Sequence, residues 1–247
     1  MDEKDSTGRV ALVTGGARRI GATIVRELAA RGMRVMIHHR ESAEDAERLA
    51  AELNDLRPDS AATVTADLAD GQAPEKLVAA VRERYGRLDL LVNNASVFAR
   101  TPLAELAQES WRKLLAANLT APLFLAQAAS SLLAESKGSI VNITDAYADR
   151  LPAGYSAYAA TKAALADLTR SLARELAPEV RVNAVAPGAV LWPQPEPDET
   201  AKRKLLAGIP LARLGEPADI ARAIAWLADE TYLTGVILPV DGGRSLV

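Results

Sequence analysis

The sequence predicts an α/β fold, a single doubly wound domain with a seven-stranded parallel sheet and helices on both faces. From Arg9 onward, short apolar runs alternate with longer helical patterns, which is typical of right-handed βαβ units. The short runs are almost continuously apolar, as expected for strands that are covered on both faces. No linker-like segment interrupts the alternation, so we expect one domain over residues 9–247, preceded by a loose polar tail at 1–8.

The elements follow one another in a regular order. Seven apolar runs are predicted as strands: Val10 to Thr14, Arg34 to His38, Ala62 to Ala66, Leu88 to Asn93, Ser139 to Thr144, Val180 to Ala186 and Val236 to Val240. Six segments between them carry charges on one side and are predicted as the main helices: Ile20 to Arg31, Ala43 to Leu56, Pro74 to Tyr85, Ser110 to Leu133, Ala157 to Leu176 and Pro217 to Leu227. A shorter helix is predicted for Glu199 to Ala207.

The composition limits the class of partner. The chain has 247 residues with 29 Lys and Arg against 32 Asp and Glu, a formal charge of −3. This balance gives no basic field for nucleic acid or an anionic membrane surface. The 49% of hydrophobic residues and 25% of charged residues are typical of a globular protein. We therefore expect a small-molecule partner and no nucleic acid.

The cysteine count and the N-terminus indicate the compartment. The chain has no cysteine, which excludes disulfides, thiolate metal sites and a cysteine nucleophile and fits a reducing environment. The first eight residues are polar, unlike a signal peptide, and no charge-free apolar window of about 18 residues is present. We expect a cytoplasmic protein with no membrane span. His38 and His39 point to opposite faces of a strand, so no metal site is predicted.

A glycine-rich turn follows the first predicted strand. The segment Thr14-Gly-Gly-Ala-Arg-Arg-Ile-Gly21 leads directly into a helix. Glycines let backbone amides approach a pyrophosphate, and the helix N-terminus adds unpaired N–H groups and a positive dipole. This context predicts a dinucleotide site, although a purely structural turn could have the same glycine-rich sequence. The predicted cofactor contacts here are Gly15, Arg18, Arg19, Ile20 and Gly21.

The ends of the second and third strands favour NADPH. A 2′-phosphate requires cations where NAD sites usually carry an acid, and the second strand ends in His38-His39-Arg40. We expect His39 and Arg40 to contact the cofactor, while the adjacent Glu41 would repel a phosphate if it pointed inward. Asp67 and Leu68 follow the third strand. Asp67 either binds the adenine amino group or caps the next helix.

Tyr158 and Lys162 are the candidate catalytic pair. Their i, i+4 spacing puts both side chains on one face of a predicted helix. A neighbouring ammonium stabilises phenolate, and Lys162 could also hold the nicotinamide ribose. A tyrosine and a lysine that merely share a helix face are the alternative. The dinucleotide turn and Asn93-Asn-Ala95 strengthen the catalytic interpretation.

Taken together, these motifs resemble the short-chain dehydrogenases/reductases over nearly the whole chain. The resemblance is carried by Thr14-Gly15, Asn93-Asn94-Ala95, Asn118, Tyr158 with Lys162, Pro187-Gly188 and Asp241-Gly242-Gly243. It implies a Rossmann fold, NAD(P)-linked hydride transfer, Tyr158 as proton donor, and a relay through Asn118 and Lys162. It also implies an oligomer, usually a homotetramer, and further cofactor contacts from Asn94, Ala95, Ser96, Lys162, Pro187 and Gly188.

One departure from the general family pattern concerns the substrate. Most members carry a serine thirteen residues before the tyrosine, and here that position is Asp145. A carboxylate touching Tyr158 would keep the phenol protonated, which suits protonation of a ring nitrogen better than reduction of a simple ketone. It could also accept hydrogen bonds from a nitrogen heterocycle. The alternative is an aspartate that caps the turn after the strand.

Two more departures make the chain similar to the pteridine reductases. Arg19 replaces the usual middle glycine of the first turn, and Ala95-Ser-Val-Phe98 follows the fourth strand. The resemblance implies that Phe98 stacks on a pterin, Ser96 hydrogen-bonds it and Arg19 touches both pyrophosphate and pterin, with Leu191 as a further substrate contact. Phe98 could instead be a packed loop residue. Val190 and Glu41 depart from the eukaryotic members, and the compact chain looks like a bacterial relative.

The sequence therefore predicts an NADPH-dependent reductase of folate metabolism that transfers hydride to a C=N bond of a dihydropterin, a biopterin or dihydrofolate. One alternative is a carbonyl or 3-ketoacyl reductase of the same superfamily. Another is a non-catalytic NADPH-binding regulatory protein. The proline-rich segment at 192–198 is expected to be a substrate lid or a simple connection.

Overall fold

The computed structural model describes residues 8–192 and 196–247. The first seven residues of the predicted tail, and residues 193–195 of the predicted lid, lie outside this description. The described chain forms one parallel sheet in the order β3-β2-β1-β4-β5-β6-β7. Its strands are β1 Val10–Val13, β2 Arg34–His39, β3 Ala61–Thr65, β4 Leu90–Asn93, β5 Ser139–Ile143, β6 Arg181–Pro187 and β7 Ile237–Val240.

Helices cover both faces of this sheet. They are α1 Arg19–Ala30, α2 Ala43–Leu56, α3 Ala73–Tyr85, α4 Gln108–Leu115, α5 Ala121–Ser136, α6 Ser156–Glu175, α7 Glu199–Ala207 and α8 Pro217–Asp229. One hydrophobic core joins α1, α2 and α8 to one face of the sheet, and a second joins α3, α5 and α6 to the other face. The predicted single domain with a doubly wound Rossmann-type sheet is confirmed.

The strand order reverses between β1 and β4. The chain runs outward from β1 through β2 to β3 and then returns, so that β4 pairs with the other side of β1. In sheets of this type, ligands bind beyond the carboxyl ends of the strands at such a switch point. The topology therefore brings the turns after β1, β2, β4 and β5 to one edge.

The predicted helix Ser110 to Leu133 is not regular. A π-type turn at Ala116–Thr120 separates α4 from α5, although the helical run is continuous. Pro122 has no backbone N–H, so it cannot donate the usual i to i−4 hydrogen bond to the Asn118 carbonyl. The interruption occurs at Asn118, whose side chain bonds Ser96 and Val97 in the loop after β4. Such π-type turns are frequent at functional sites.

By length and composition alone, this helical run, Gln108–Ser136, could cross a membrane. However, Leu125, Ala129 and Leu132 on α5 are fully buried against the sheet with α3. A core helix of a globular domain has this pattern. The α5 part of the run therefore belongs to the core.

The remaining differences lie at the ends of elements. The predicted strand from Leu88 begins at Leu90, and just before it the Asp89 carboxylate accepts the Val10 N–H and pairs with Arg87. The short helix at Glu199–Ala207 is confirmed, and the Asp198 carboxylate caps it.

Candidate active site

A cleft of about 600 Å³ lies at the carboxyl edge of the sheet. Its size is typical of a small-molecule site. The cleft contains every residue predicted to bind the cofactor: Gly15, Arg18, Arg19, Ile20, Gly21, His39, Arg40, Asp67, Leu68, Asn94, Ala95, Ser96, Lys162, Pro187 and Gly188. Phe98, Asp145 and Tyr158 line it as well.

The glycine-rich turn is closely packed. A Cβ atom on Gly21 would lie 2.1 Å from the Gly15 carbonyl oxygen, so no larger residue fits there. Thr14 Oγ1 accepts the backbone N–H groups of Asn94 and Ala95, both at 3.0 Å. In return, Asn94 Nδ2 donates to the carbonyl oxygens of Thr14 and Gly15 at 2.8 and 3.1 Å. The end of β4 therefore fixes the backbone of the turn.

The two arginines of the turn have different surroundings. Arg19 adopts a left-handed backbone conformation with φ of 52°, which is costly for a residue other than glycine. Arg18 pairs with Asp45 at the start of α2, and Arg48 pairs with the same carboxylate. Hydrogen bonds from these guanidinium groups hold the pKa of Asp45 below its ordinary value. Arg18, predicted to be free to reach the cofactor, is engaged in an ion pair on the rim of the cleft.

The end of β2 carries the predicted cationic site. Arg40 pairs with Glu41 across 2.9 Å, and the Glu41 side chain is 77% exposed. The acid is exposed but lines the cleft, where it offsets part of the charge of Arg40. His39 is buried, and its Nε2 lies 3.0 Å from Thr65 Oγ1. His39 and Arg40, the two predicted cofactor contacts, both line the cleft.

His38 has a role in the site that the sequence analysis missed. Its Nδ1 accepts the Gly15 N–H at 3.1 Å, and its Nε2 lies 3.1 Å from the Ala66 carbonyl oxygen. Burial lowers the pKa of His38, so the ring is neutral with its hydrogen on Nε2. A polar residue directly after the apolar run Val35-Met-Ile37 was the available signal.

Asp67 closes a turn and does not cap a helix. Its Oδ1 accepts the Ala69 N–H at 2.9 Å, and α3 begins only at Ala73. The prediction that Asp67 might cap the next helix is wrong, because several turn residues separate them. Asp67 and Leu68 line the cleft, which leaves the adenine contact as the remaining interpretation.

The predicted acid and phenol are in contact. The Tyr158 hydroxyl donates to Asp145 Oδ2 at 3.0 Å, and Asp145 Oδ1 accepts the Tyr147 N–H at 2.8 Å. The aspartate therefore closes the turn after β5 and also touches the catalytic candidate, and its role toward a substrate stays a prediction. Burial, followed by the charge and hydrogen bond of Asp145, raises the pKa of Tyr158 above its ordinary value. Tyr158 is a protonated phenol in this site.

Lys162 lies beneath the tyrosine. Its Nζ donates to the Ile143 carbonyl oxygen at 2.8 Å and lies 5.9 Å from the centroid of the Tyr158 ring. Burial lowers the pKa of Lys162 to about 8. We expected the Lys162 ammonium to lower the pKa of Tyr158 and favour phenolate. Burial and Asp145 instead raise that pKa. The i, i+4 spacing does place both side chains in the cleft.

Asn118 is buried behind the cleft and does not line it. Its Nδ2 donates to the Val97 carbonyl and to Thr161 Oγ1, and its Oδ1 accepts from Ser96 Oγ and the Val97 N–H. The side chain is occupied by the protein itself. A relay through Asn118 would use its backbone carbonyl, which Pro122 leaves without an α-helical donor.

The predicted substrate contacts are only partly brought together. Phe98 is 58% exposed, with one face stacked on Tyr155 at 4.9 Å between ring centroids and an edge contact to Tyr158 at 4.8 Å. The stacking partner was not predicted. Leu191 is not among the residues that line the cleft and is 38% exposed beside the undescribed segment. Val190 before it is buried in the core.

The described residues hold no cluster of metal-ligating side chains. Within residues 8–192 and 196–247, no three His, Cys, Asp or Glu side chains lie close enough together to hold an ion. The prediction that the site uses no metal stays a prediction.

Comparisons with known proteins connect this site to a family. A family model described as "Enoyl-(Acyl carrier protein) reductase" matches residues 15–245. Ketoacyl reductase 2 of the granaticin polyketide synthase of Streptomyces violaceoruber is 40% identical, with 96% of each chain covered. Pteridine reductase 1 of Leishmania tarentolae is 38% identical, with 97% of each covered. The sequence motifs pointed to the pteridine reductases, but the overall similarity does not distinguish them from the ketoacyl reductases.

A solved structure agrees with these matches. The blue fluorescent protein from a metagenomic library, solved in complex with NADPH, superposes with a TM-score of 0.90 at 37% identity. The match covers 98% of this chain and 99% of that one. The expected family is confirmed over nearly the full length: the chain belongs to the short-chain dehydrogenase/reductase family of oxidoreductases.

Proposed function

We propose that the protein is an NADPH-dependent reductase that delivers hydride to a C=N bond of a pterin-type ring, such as a dihydropterin, a biopterin or dihydrofolate. The observation that supports this most is the hydrogen bond from Tyr158 to Asp145. A phenol that is held protonated by a carboxylate is suited to give a proton to a basic ring nitrogen.

The residues of the cleft fit NADPH. The turn is tight at Gly21, where a Cβ atom would meet the Gly15 carbonyl oxygen and Asn94 Nδ2. No side chain among the described residues caps the N-terminus of α1, which leaves its amides for a pyrophosphate. Arg19 and Arg40 would face the phosphates, and Lys162 would hold the nicotinamide ribose. When bound, NADPH supplies the hydride. The solved relative in complex with NADPH supports this choice of cofactor.

The proton comes from Tyr158. Asp145 accepts its hydroxyl hydrogen in the resting site and is itself fixed by the Tyr147 N–H, so the phenol has one orientation. Transfer of the proton to a substrate nitrogen leaves a phenolate beside the Lys162 ammonium, which stabilises it. Proton replacement would proceed through Lys162 and the Asn118 carbonyl. Asp145 can then accept hydrogen bonds from amino or ring N–H groups of the substrate.

The substrate would lie against the exposed part of Phe98. A flat heterocycle gains about 0.5–1.5 kcal/mol from an aromatic face beyond its burial. Ser96 and Arg19 offer polar groups in the same cleft. Leu191, outside the cleft as the structure shows it, remains a proposed substrate contact.

A second candidate function is reduction of a 3-ketoacyl thioester. Its support is the similarity itself, because the granaticin relative is named a ketoacyl reductase and a 36% identical Synechocystis relative is a 3-oxoacyl-[acyl-carrier-protein] reductase. Asp145 is the residue that distinguishes the two functions. The oxygens of the Asp145 carboxylate accept hydrogen bonds and offer no donor to a substrate carbonyl oxygen, whereas a serine hydroxyl would.

Substrate assays with three proteins test the proposal. NADPH oxidation is followed with dihydrobiopterin, dihydrofolate and an acetoacetyl thioester for wild type, Tyr158→Phe and Asp145→Ser. We expect wild type to reduce a pterin, Tyr158→Phe to lose this activity, and Asp145→Ser to lose pterin turnover while gaining on the thioester. Thioester reduction alone by wild type would identify a ketoacyl reductase. NADPH binding without turnover of any substrate would indicate a regulatory protein.

The cellular context is part of the same proposal. We propose a cytoplasmic enzyme of folate metabolism that assembles as a homotetramer. Exposed apolar residues on α5, Leu123 and Phe124, provide surface for a contact between subunits. Light scattering of the purified protein measures the subunit count directly.

A further inference from the structure

We propose that His38 is a positioning residue that holds the glycine-rich turn in the shape needed to bind NADPH. It acts by accepting the Gly15 N–H through its Nδ1. The inference rests on the proposed cofactor, and no part of it requires a particular substrate.

The imidazole is a bridge between two loops. Nδ1 is 3.1 Å from the Gly15 nitrogen in the turn after β1, and Nε2 is 3.1 Å from the Ala66 carbonyl oxygen after β3. Only an Nε2–H tautomer satisfies both partners, because Gly15 N–H can only donate and the carbonyl can only accept. The ring is 2% exposed, so water does not replace either partner.

The backbone of His38 supports the same turn. Its carbonyl oxygen accepts the Gly16 N–H at 2.9 Å, so two consecutive amides of the turn bind one residue of β2. The Gly15 amide is thereby directed toward the sheet, while its carbonyl oxygen accepts from Asn94 on the other side. These contacts fix both polar groups of Gly15. Gly15 itself has a left-handed φ of 61° and depends on them for its orientation.

Loss of the acceptor would affect the turn before it affects the chemistry. A Gly15 N–H without a partner in this partly buried position is costly, and the turn would rotate to find another acceptor. The amides beyond it at the start of α1 would then lose their alignment for a pyrophosphate. His38 lies away from Tyr158, so cofactor affinity should change more than the rate of the bound complex.

Variants of similar shape distinguish the role of Nδ1 from that of Nε2. In His38→Asn, the side-chain oxygen occupies roughly the place of Nδ1 and can accept the Gly15 N–H. In His38→Gln, the amide reaches the place of Nε2 and leaves Gly15 without its acceptor, as does His38→Ala. Met36→Ala, two residues earlier in the same strand and fully inside the core, is the control for general destabilisation.

The experiment measures NADPH dissociation constants by fluorescence titration and Gly15 amide hydrogen exchange by NMR in the protein without cofactor. We expect His38→Ala and His38→Gln to weaken NADPH binding by about tenfold, the factor that 1.4 kcal/mol gives, and to speed Gly15 exchange. His38→Asn should restore much of both. In steady-state assays, KM for NADPH should rise far more than kcat falls, whereas Met36→Ala should leave Gly15 exchange and NADPH affinity unchanged.

Two results would overturn the inference. One is unchanged NADPH affinity in His38→Ala and His38→Gln; the other is a His38→Asn protein as weak as His38→Ala. Failure of the wild type to bind NADPH would instead overturn the cofactor proposal and the binding role of His38 together. Gly15 exchange does not depend on the cofactor, so it would still report whether the hydrogen bond exists.

Discussion

The two oxygens of the Asp145 carboxylate accept from different parts of the chain. Oδ2 accepts the Tyr158 hydroxyl at 3.0 Å, and Oδ1 accepts the Tyr147 backbone N–H at 2.8 Å. The backbone contact fixes the acid, and the acid fixes the phenol. Burial and Asp145 both favour the neutral hydroxyl, which is the form that Tyr158 needs in order to act as the acid of the proposed reduction.

Substitution of Asp145 should lower the pKa of Tyr158. Asp145→Asn removes the negative charge but keeps an acceptor, so the phenol should ionise at lower pH than in wild type, while burial still holds its pKa above the ordinary value. Ultraviolet difference titration of tyrosinate measures this. The same titration of Tyr158→Phe identifies the signal among the five tyrosines. An identical titration in wild type and Asp145→Asn would contradict the prediction.

Lys162 should produce a falling limb in the pH profile of cofactor use. Burial lowers its pKa to about 8, so the ammonium loses its proton as the pH rises through this value. We expect kcat/KM for NADPH, which reports the free enzyme, to fall about tenfold per pH unit above that point. In Lys162→Arg the guanidinium stays charged, and the limb should disappear or move to higher pH. A flat profile in wild type would show that the charge is not needed.

The same group should affect stability with a defined sign. The pKa of Lys162 is lower in the folded protein than the reference of about 10.4, so the unfolded chain binds more protons between the two values. The free energy of unfolding should therefore gain on the order of 1–3 kcal/mol from this group as the pH rises through that window. Urea unfolding of wild type and Lys162→Met at both ends of the window measures the difference. Equal pH dependence in both would refute it.

The sheet and the position of the cleft could be predicted from the sequence because both follow from local patterns. Buried strands such as Val10–Val13 and Ser139–Ile143 require continuous apolar residues, and a glycine turn must follow the first of them. The contact between Asp145 and Tyr158 was also predictable, since a fixed spacing within the family determines it. These features depend on short stretches of chain with a recognisable local pattern.

The missed features depend on contacts between distant segments. The hydrogen bond between His38 and Gly15 links two strands, and the stack of Phe98 on Tyr155 links two loops. The choice of Asp45 as the partner of Arg18 depends on how α2 packs. None of these pairings has a fixed spacing in the sequence. Tertiary packing decides them, and local patterns do not report it.

Arg19 should lower the stability of the folded protein and strengthen the binding of NADPH. Its φ of 52° is unfavourable for a side chain with Cβ by about 1 kcal/mol or slightly more. Arg19→Gly should therefore raise the free energy of unfolding by roughly 0.5–1 kcal/mol, reduced from the full strain by the greater freedom of glycine in the unfolded chain. The same variant should bind NADPH more weakly because it lacks the cation. Denaturant unfolding and fluorescence titration measure the two effects.

Arg19→Lys is the matched control for Arg19→Gly. It keeps the charge and the Cβ atom, so its stability should equal that of wild type, and its NADPH affinity should lie between the other two proteins. An Arg19→Gly protein that is less stable than wild type would show that the left-handed backbone is not strained.

Phe98 should distinguish flat substrates from flexible ones. One face of its ring rests on Tyr155, yet 58% of the residue is exposed beside Tyr158, where a planar ring can stack. Phe98→Leu keeps an apolar side chain without the aromatic face, so KM for dihydrobiopterin should rise by a factor of about 2–10, the equivalent of 0.5–1.5 kcal/mol. The exposed Leu56 on α2 gives a control, since Leu56→Ala should change no kinetic constant. Steady-state kinetics with an acetoacetyl thioester should show little change in KM for Phe98→Leu. An equal rise in KM for both substrates would indicate that Phe98 shapes the loop and does not stack on a ring.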